Sequence, residues 1–320
     1  MPAAPSSTQQ VPSRARPVPS VAGVAVARPE PARQAARRMK AVRRARRGVG
    51  TFLVYVLLMA IAITTVYPFF WTVITSFESV GAVFNFPPPV WPQEPTLRHY
   101  RTVVETVPLG RYVLNSTIIS VSGVLLSVLV ATLAGYPLAR LKFPGRDLIF
   151  GAIIATLILP NEAGLIVNYI TTIKLGLLHT SVGQYAAVIL PSLASTVGIF
   201  LMRQAYLAIP EELLEAARVD GASELRIWWK IMVPLTAPSI AAFGILQFVG
   251  FWNSFLWAII VLTDKSYYPL ASGLLDLQGQ FATNTRAIAS GTVIAMVPIL
   301  VVFLFGQRYF MRGLEGAVKQ

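Results

Sequence analysis

The chain has 320 residues, of which 55% are hydrophobic and only 13% charged, and a formal net charge of +13. Soluble chains carry about 25% charged residues, so the composition argues against a single water-soluble globule. It leaves nucleic acid or the cationic loops of a membrane protein to explain the positive balance, and the position of the charges decides between them. Cys is absent, which excludes disulfides and thiolate metal sites, and two His (His99 and His179) are too few for a histidine metal cluster.

Residues 1–48 hold 11 Lys or Arg and one acid, Glu30. The stretch is rich in Ala, Pro, Arg and Ser and lacks apolar periodicity, so it is expected to be a disordered basic tail. No aromatic residue interleaves with the basic run from Arg37 to Arg47. That disfavours a nucleic-acid arm and favours a cytoplasmic flank that orients the next segment and can touch anionic headgroups. The apolar run from Thr51 to about Ile74 is too long for a signal-peptide core of about 7–15 residues. No small-residue cleavage site follows it, so it reads as a span.

A bilayer core about 30 Å thick needs about 20 apolar residues at about 1.5 Å each. Six stretches qualify: 51–76, 113–138, 148–172, 182–206, 237–262 and 287–308. Pro68, Pro137, Pro160, Pro191 and Pro298 fall inside them, and lipid tolerates such breaks. Pro160 and Pro298 are expected to kink or break their spans. With the N-terminus inside, 21 basic residues fall on the inner side and 6 on the outer; without the tail the split is still 10 against 6. Both termini are therefore expected in the cytoplasm.

Two outer loops are long. Residues 77–112 carry Pro87, Pro88, Pro89, Pro92 and Pro95, and residues 263–286 are polar. The inner loop, 207–236, is the most structured-looking polar stretch. Pro210 suits a first helical position, and Glu211 and Glu212 favour the positive end of the helix dipole. Leu213, Leu214 and Ala217 are expected to share one face. Gly221 permits the left-handed turn that ends a helix, Ser223 can cap the next one, and Ile227 and Ile231 are four apart. The expectation is a helix, a glycine turn and a second helix. Ala216, Ala217 and Gly221 are small enough for another backbone to approach closely.

The spacing in this loop is specific. Glu215-Ala216-Ala217, then Gly221, then Ile231 and Val233-Pro234 resemble the EAA motif of binding-protein-dependent ABC importer permeases, with Val233 where that family usually has Leu. Other segments resemble its carbohydrate-uptake branch, the shorter maltose-permease type. They are Asn115-Ser116, Tyr136 to Arg146, Pro160-Asn161-Glu162, Leu175-Gly176-Leu177, Trp252-Asn253, Arg308 to Gly313 and Gly316 to Lys319. The resemblance covers roughly 50–320 and leaves out the tail.

The resemblance implies an all-α membrane protein of the ABC importer type I transmembrane fold, with six transmembrane helices and a cytoplasmic coupling helix. The permease domain would span 49–320. By the motif, Glu215, Ala216, Ala217, Asp220, Gly221, Ile231 and Pro234 map onto the contact with an ATPase subunit, Glu215 pairing with a basic residue there. Gly316, Lys319 and Gln320 would reach the ATPase pair, with Gln320 where Gly is common. The resemblance also implies a second, homologous permease as heterodimer partner and an extracytoplasmic solute-binding protein that meets the outer loops. The chain itself carries no Gly-Lys-Ser/Thr phosphate loop, so ATP and Mg would sit on the partner ATPase and no cofactor in this chain.

Glu162 is the one acid within the six spans, and an intramembrane carboxylate is a functional candidate by default. Its alternative is a helix-break residue satisfied by backbone freed at Pro160. Gln247, Trp252, Asn253, Ser254 and Trp257 on the fifth span mix amides and aromatic faces, as sugars require. Interfacial Trp is the plainer reading of the same residues. These residues are candidates for pore lining. The solute is expected to be a sugar (an oligosaccharide or polyol), with glycerol phosphate or another solute as the alternative. A channel leaves the docking loop unexplained, and a membrane enzyme lacks paired acids or a His cluster.

Overall fold

A computed structural model describes residues 30–79, 91–92, 94–280 and 284–318. Side-chain surroundings are described for these from Gly48 to Gln307, apart from positions 49, 161, 162, 276, 278 and 280. Among the described residues every regular element is helical.

The first helix, α1, runs Glu30–Phe77. The segment expected to be a disordered tail is thus helical from Glu30, and residues 1–29 lie outside the described ones. Ala and Arg dominate 32–47 and are strong helix formers, and Pro31 sits in the first turn where its missing N–H costs nothing. The chain divides into two compact units, Met1–Val66 and Tyr67–Gln320. In the first, every side chain from Thr51 to Val66 is exposed, including Phe52, Leu57 and Ile63. So apolar a surface is at home in lipid and not in water.

The second unit contains α2 (Arg98–Thr106), α3 (Leu109–Arg140), α4 (Arg146–Ala155), α5 (Leu165–Lys174), α6 (Ser181–Ile189) and α7 (Thr196–Leu207). It continues with α8 (Glu211–Val219), α9 (Glu224–Ile227), α10 (Val233–Leu235), α11 (Ala237–Trp252), α12 (Leu256–Val261), α13 (Leu270–Gln280) and α14 (Thr285–Val318). Among the described residues three helices are long and apolar enough to cross a membrane: Gly50–Phe77, Leu109–Arg140 and Thr285–Gln307. The number rises to 5 if each of two bent pairs is one span, Ser181–Ser192 with Thr196–Leu207 at 61° and Glu224–Leu235 with Ala237–Trp252 at 79°.

Three of the six expected spans are therefore broken. The stretch 148–172 divides into α4, 3-10 turns at Thr156–Ile158 and Asn161–Gly164, and α5. The stretch 182–206 divides at a 3-10 turn, Leu190–Ser192. The stretch 237–262 divides between Trp252 and Leu256. Pro160 breaks its span, one of the two outcomes expected of it, and α14 continues through Pro298 without a break. Pro191, expected to be accommodated, marks a break instead. Beyond Pro191, Ser195 restarts a helix by accepting the Gly198 N–H at 3.2 Å on its hydroxyl. Near Pro298 the Trp252 indole N–H donates to the Ala295 carbonyl at 3.1 Å.

The straight helix α3 lies at the centre of the second unit, packed on α7, α11 and α13. Its residues enter all three buried clusters: Tyr136 and Ala139 with Met202, Leu214 and Ile227; Leu109 and Tyr112 with Trp252 and Leu270; Ile119 with Val188 and Val261. The contact between α3 and α7 is close because Gly135 has no side chain. A Cβ there would lie 2.9 Å from Met202 Cβ and 3.1 Å from the Arg203 backbone nitrogen. Small residues at helix crossings do this where no hydrophobic effect draws helices together in lipid.

The matched pair Gly135→Ala and Gly110→Ala separates packing from propensity, since nothing lies within 4 Å of a Cβ at Gly110. Thermal unfolding in detergent should show Gly135→Ala destabilised by about 1–3 kcal/mol and Gly110→Ala unchanged or slightly stabilised. Equal midpoints would show that the α3–α7 approach is not tight.

Candidate functional site

The loop 207–236 folds as the helix, glycine turn and helix expected of it. The first helix, α8, ends in a turn closed by two bonds: the Gly221 N–H donates to the Arg218 carbonyl and the Ala222 N–H to the Ala217 carbonyl, both at 3.0 Å. This pattern requires a left-handed residue, and Gly221 has φ 77°. Then α9 passes into one π turn, Trp228–Met232, and α10. Details differ from expectation. Pro210 precedes the helix in extended geometry instead of occupying its first position, and Ser223 sits at the cap of α9 without a side-chain bond to it. The inward face is Leu214 and Ala217, while Leu213 is 48% exposed.

The outward face holds Glu211, Glu212, Glu215, Ala216, Asp220 and Gly221, all exposed. Beside them Val219 is 88% and Leu225 66% exposed. Ala217, expected at a partner contact, instead packs into its own chain's core with Tyr136 and Tyr206. Ile231 is half-buried against the same core, and Pro234 is exposed. The three consecutive residues 215–217 span about 200° of helix, so they cannot all face one partner.

Polar bonds tie this loop to the long helices. Arg140, the last residue of α3, donates to the Tyr206 carbonyl at 3.1 and 2.6 Å and also to that of Ile209. In return Arg203 of α7 donates to the Leu138 carbonyl of α3 at 3.1 Å and lies over the Phe150 ring at 4.1 Å. Each helix thus supplies a cation to the other's C-terminal carbonyls, where the helix dipole is negative. The buried Tyr136 hydroxyl of α3 donates to Glu224 Oε2, and Arg218 Nε donates to Glu224 Oε1 at 2.9 Å. The Glu224 carboxylate beside Arg218 pushes its guanidinium pKa up.

At the other end of α3, Asn115 Nδ2 donates to the carbonyls of Ser266 (2.8 Å) and Tyr268 (3.0 Å) while its Oδ1 accepts from the Tyr185 hydroxyl. Ser116 Oγ accepts the Leu270 N–H at 2.7 Å. These bonds hold the start of the 263–286 segment against α3.

The three broken spans meet around one cavity of about 960 Å³. Its lining combines Thr156, Pro160 and Asn168 from the first break and Pro191, Ser192, Ser195 and Thr196 from the second. Gln247, Leu256 and Trp257 come from the third. None of the side chains described there is charged. Thr156 and Thr196 join across it through their hydroxyls at 2.8 Å. The Trp257 indole N–H donates to the Ala187 carbonyl at 3.0 Å. That carbonyl lies four residues before Pro191, whose missing N–H would otherwise have bonded to it. Likewise the Ser272 hydroxyl reaches the Ser254 and Phe255 carbonyls at the third break (3.3 and 3.2 Å).

Of the predicted pore residues, Gln247 and Trp257 line this cavity. Trp252 does not: it is 3% exposed, stacked on Phe248 with ring centroids 5.6 Å apart, and packed in the core with Leu270. Asn253 is exposed at the end of α11, outside the lining. The Glu162 side chain lies outside the described residues; its backbone is in the turn after Pro160. Gly316 lies in the last turns of α14, and Lys319 and Gln320 lie outside the described residues. Sequence reasoning missed Thr156, Asn168, Ser192, Ser195 and Thr196. The signal for Thr156, Ser192, Ser195 and Thr196 was a hydroxyl within about five positions of a proline in an apolar run; Asn168, eight positions past Pro160, carried no such signal.

Residues 123–316 match the family described as binding-protein-dependent transport system inner membrane component. The chain is 41% identical over 206 residues to the arabinooligosaccharides transport system permease protein AraQ of Halalkalibacterium halodurans, covering 64% of this chain and 72% of that one. It is 37% identical over 225 residues to the osmoprotective compounds uptake permease protein GgtD of Synechocystis sp., covering 70% and 75%. It is 29% identical over 282 residues to the sn-glycerol-3-phosphate transport system permease protein UgpE of Yersinia pestis, covering 86% and 99%. Among solved structures, a chain of a bacterial ABC transporter involved in the import of the acidic polysaccharide alginate shares the fold. Its TM-score is 0.71 at 24% identity, over 82% of this chain and 96% of that one. The match runs unbroken from the middle of α3 through the glycine-turn loop and the cavity into α14, and the chain belongs to the family of binding-protein-dependent transport system inner membrane components.

Proposed function

We propose that the chain is one permease subunit of an ATP-driven importer for a neutral saccharide. It pairs with a second, similar permease to enclose the path. A pair of ATPase subunits binds ATP and Mg on the cytoplasmic side, and an extracytoplasmic solute-binding protein delivers the solute. Both termini lie in the cytoplasm, in keeping with the excess of basic residues on that side. The exposed face of α8, with Glu215, Ala216, Asp220 and Gly221 and the flanking Val219 and Leu225, is the docking face for an ATPase subunit. The C-terminal residues Gly316, Lys319 and Gln320 reach the same pair.

The substrate class rests on one observation, the cavity where the broken spans meet. Its polar groups are hydroxyls and amides and its one aromatic is Trp257. Hydroxyls and amides exchange hydrogen bonds with sugar hydroxyls, and an aromatic face covers sugar C–H surface. An anion would enter with no counter-charge among the described lining, at a cost of several kcal/mol. Glu162, between the lining residues Pro160 and Ala163, adds a negative charge in the same segment. Glycerol phosphate is the second reading, because the UgpE relative is matched over 99% of its length.

Proteoliposomes holding the whole importer with its own binding protein should take up labelled arabinotriose in the presence of ATP, and glycerol 3-phosphate should not compete. Uptake of glycerol 3-phosphate alone would overturn the neutral-saccharide reading. In the same vesicles Glu215→Lys and Gly221→Pro should leave the chain inserted and ATP hydrolysis measurable, while uptake falls about tenfold or more. Proline cannot adopt φ 77° and removes the N–H that bonds the Arg218 carbonyl. Normal uptake in both variants would remove the docking role from this loop. Glu162→Gln should retain more uptake than Glu162→Lys, because Gln keeps the size of the acid while Lys reverses its charge; equal uptake would show that the site is unconstrained.

A further inference from the structure

We propose that Tyr136, Glu224 and Arg218 form a latch that makes the docking helix α8 move as one body with the membrane-spanning helix α3. They are positioning residues for the transmission of ATP-driven motion, and the assignment rests on the permease reading above. The glycine turn at Gly221 gives α8 a pivot: its left-handed backbone joins two short helices, and its Cβ position has nothing within 4 Å to brace it. Leu214 and Ala217 already pack α8 against Tyr136 and Met202, and a fixed pivot adds a directional bond that carries force from its exposed face into α3. The Glu224 carboxylate fixes it from both sides. One oxygen accepts from Arg218 at the end of α8, the other from Tyr136, which is 88 positions away in sequence and one helical turn before the end of α3.

Magnitudes identify the arm that matters. Arg218 and Glu224 are 34% and 42% exposed at their side chains, and such a pair contributes little alone, about 0–1 kcal/mol. Tyr136 is only 4% exposed. Its hydroxyl donates to a charged acceptor, and a buried hydroxyl that loses its partner costs far more than an exposed one. The reciprocal Arg140 and Arg203 bonds fix the α3 and α7 ends to each other but reach no residue beyond Ile209. The hydrogen bond from Tyr136 to Glu224 links the stretch after the glycine turn directly to α3.

Two readouts test the latch. In the whole importer, Tyr136→Phe and Glu224→Ala should lower solute transported per ATP hydrolysed about 3- to 10-fold, with the ATPase still co-purifying. Glu224→Gln, which keeps an acceptor for the tyrosine, should recover most of that ratio. The second readout needs no transport. The chain contains no Cys, so spin labels at Val219→Cys and Leu133→Cys can be read in the full chain in nanodiscs. Tyr136→Phe should broaden the distance distribution between them. An unchanged distribution in Tyr136→Phe and Glu224→Ala overturns the latch, whatever the wild-type importer carries. An unchanged transport ratio in an importer that couples normally overturns it as well. If the wild-type complex moves no solute, the permease reading fails separately and the label distances alone decide the latch.

Discussion

Hydrocarbon offers no partner for a backbone N–H or carbonyl, and much of this fold follows from that constraint. A continuous helix satisfies it alone, as α1, α3 and α14 do. A broken helix cannot, so each break must import donors and acceptors from elsewhere in the chain. The breaks at Pro160, Pro191 and after Trp252 do this with short polar side chains and one indole. Thr156 meets Thr196, Ser195 caps α7, Ser272 takes the carbonyls at Ser254 and Phe255, and Trp257 takes the acceptor that Pro191 leaves open. These polar groups need one another, and that need brings the three breaks together.

A polar cavity follows directly. The groups recruited to satisfy broken backbone are hydroxyls and amides, and any surplus bonding capacity points into the space between the breaks. Irregular backbone at membrane depth is tolerated only where it is buried in protein or lines a water-filled space. The cavity of about 960 Å³ meets that condition and is lined by four of these residues, Thr156, Ser195, Thr196 and Trp257. Satisfying the backbone and lining the cavity with hydroxyls and amides are one arrangement of the same side chains.

The apolar runs made the helical class and the membrane-spanning character legible, because about 20 apolar residues in a row carry the signal whatever their internal geometry. For the same reason the breaks were not legible. An apolar run reads alike whether it crosses straight or bends by 61° between α6 and α7, and a proline alone does not say which. Pro191 and Pro298 both lie inside apolar runs, yet only the first marks a break. The glycine-turn loop was legible because its backbone demands are local: Gly221 must take positive φ, and the acids mark the start of α8. Which of its residues face outward was less so. Leu214 and Ala217 are three apart and turn inward together, which carries Leu213 and Ala216 outward. Trp252 illustrates the remaining limit. An indole at the end of an apolar run suits a pore, a lipid interface or a core equally, and the Ala295 carbonyl that claims it lies 43 residues away.

The division between stiff and deformable parts follows from the same contacts. Helix α3 is unbroken for 32 residues, and polar bonds hold both its ends: Asn115 and Ser116 bind the segment after Leu262, and Tyr136 and Arg140 bind the segments around α8. From Asn115 to Arg140 is about 38 Å along the axis at about 1.5 Å per residue, enough to cross the hydrocarbon core. A rod fixed at both ends transmits displacement with little loss. The helices around the cavity are short, bent and joined by single hydrogen bonds, so they carry the lower cost of rearrangement. The unbroken helix reaches the glycine-turn loop while the broken ones enclose the cavity, so stiffness and deformability are divided between two sets of helices.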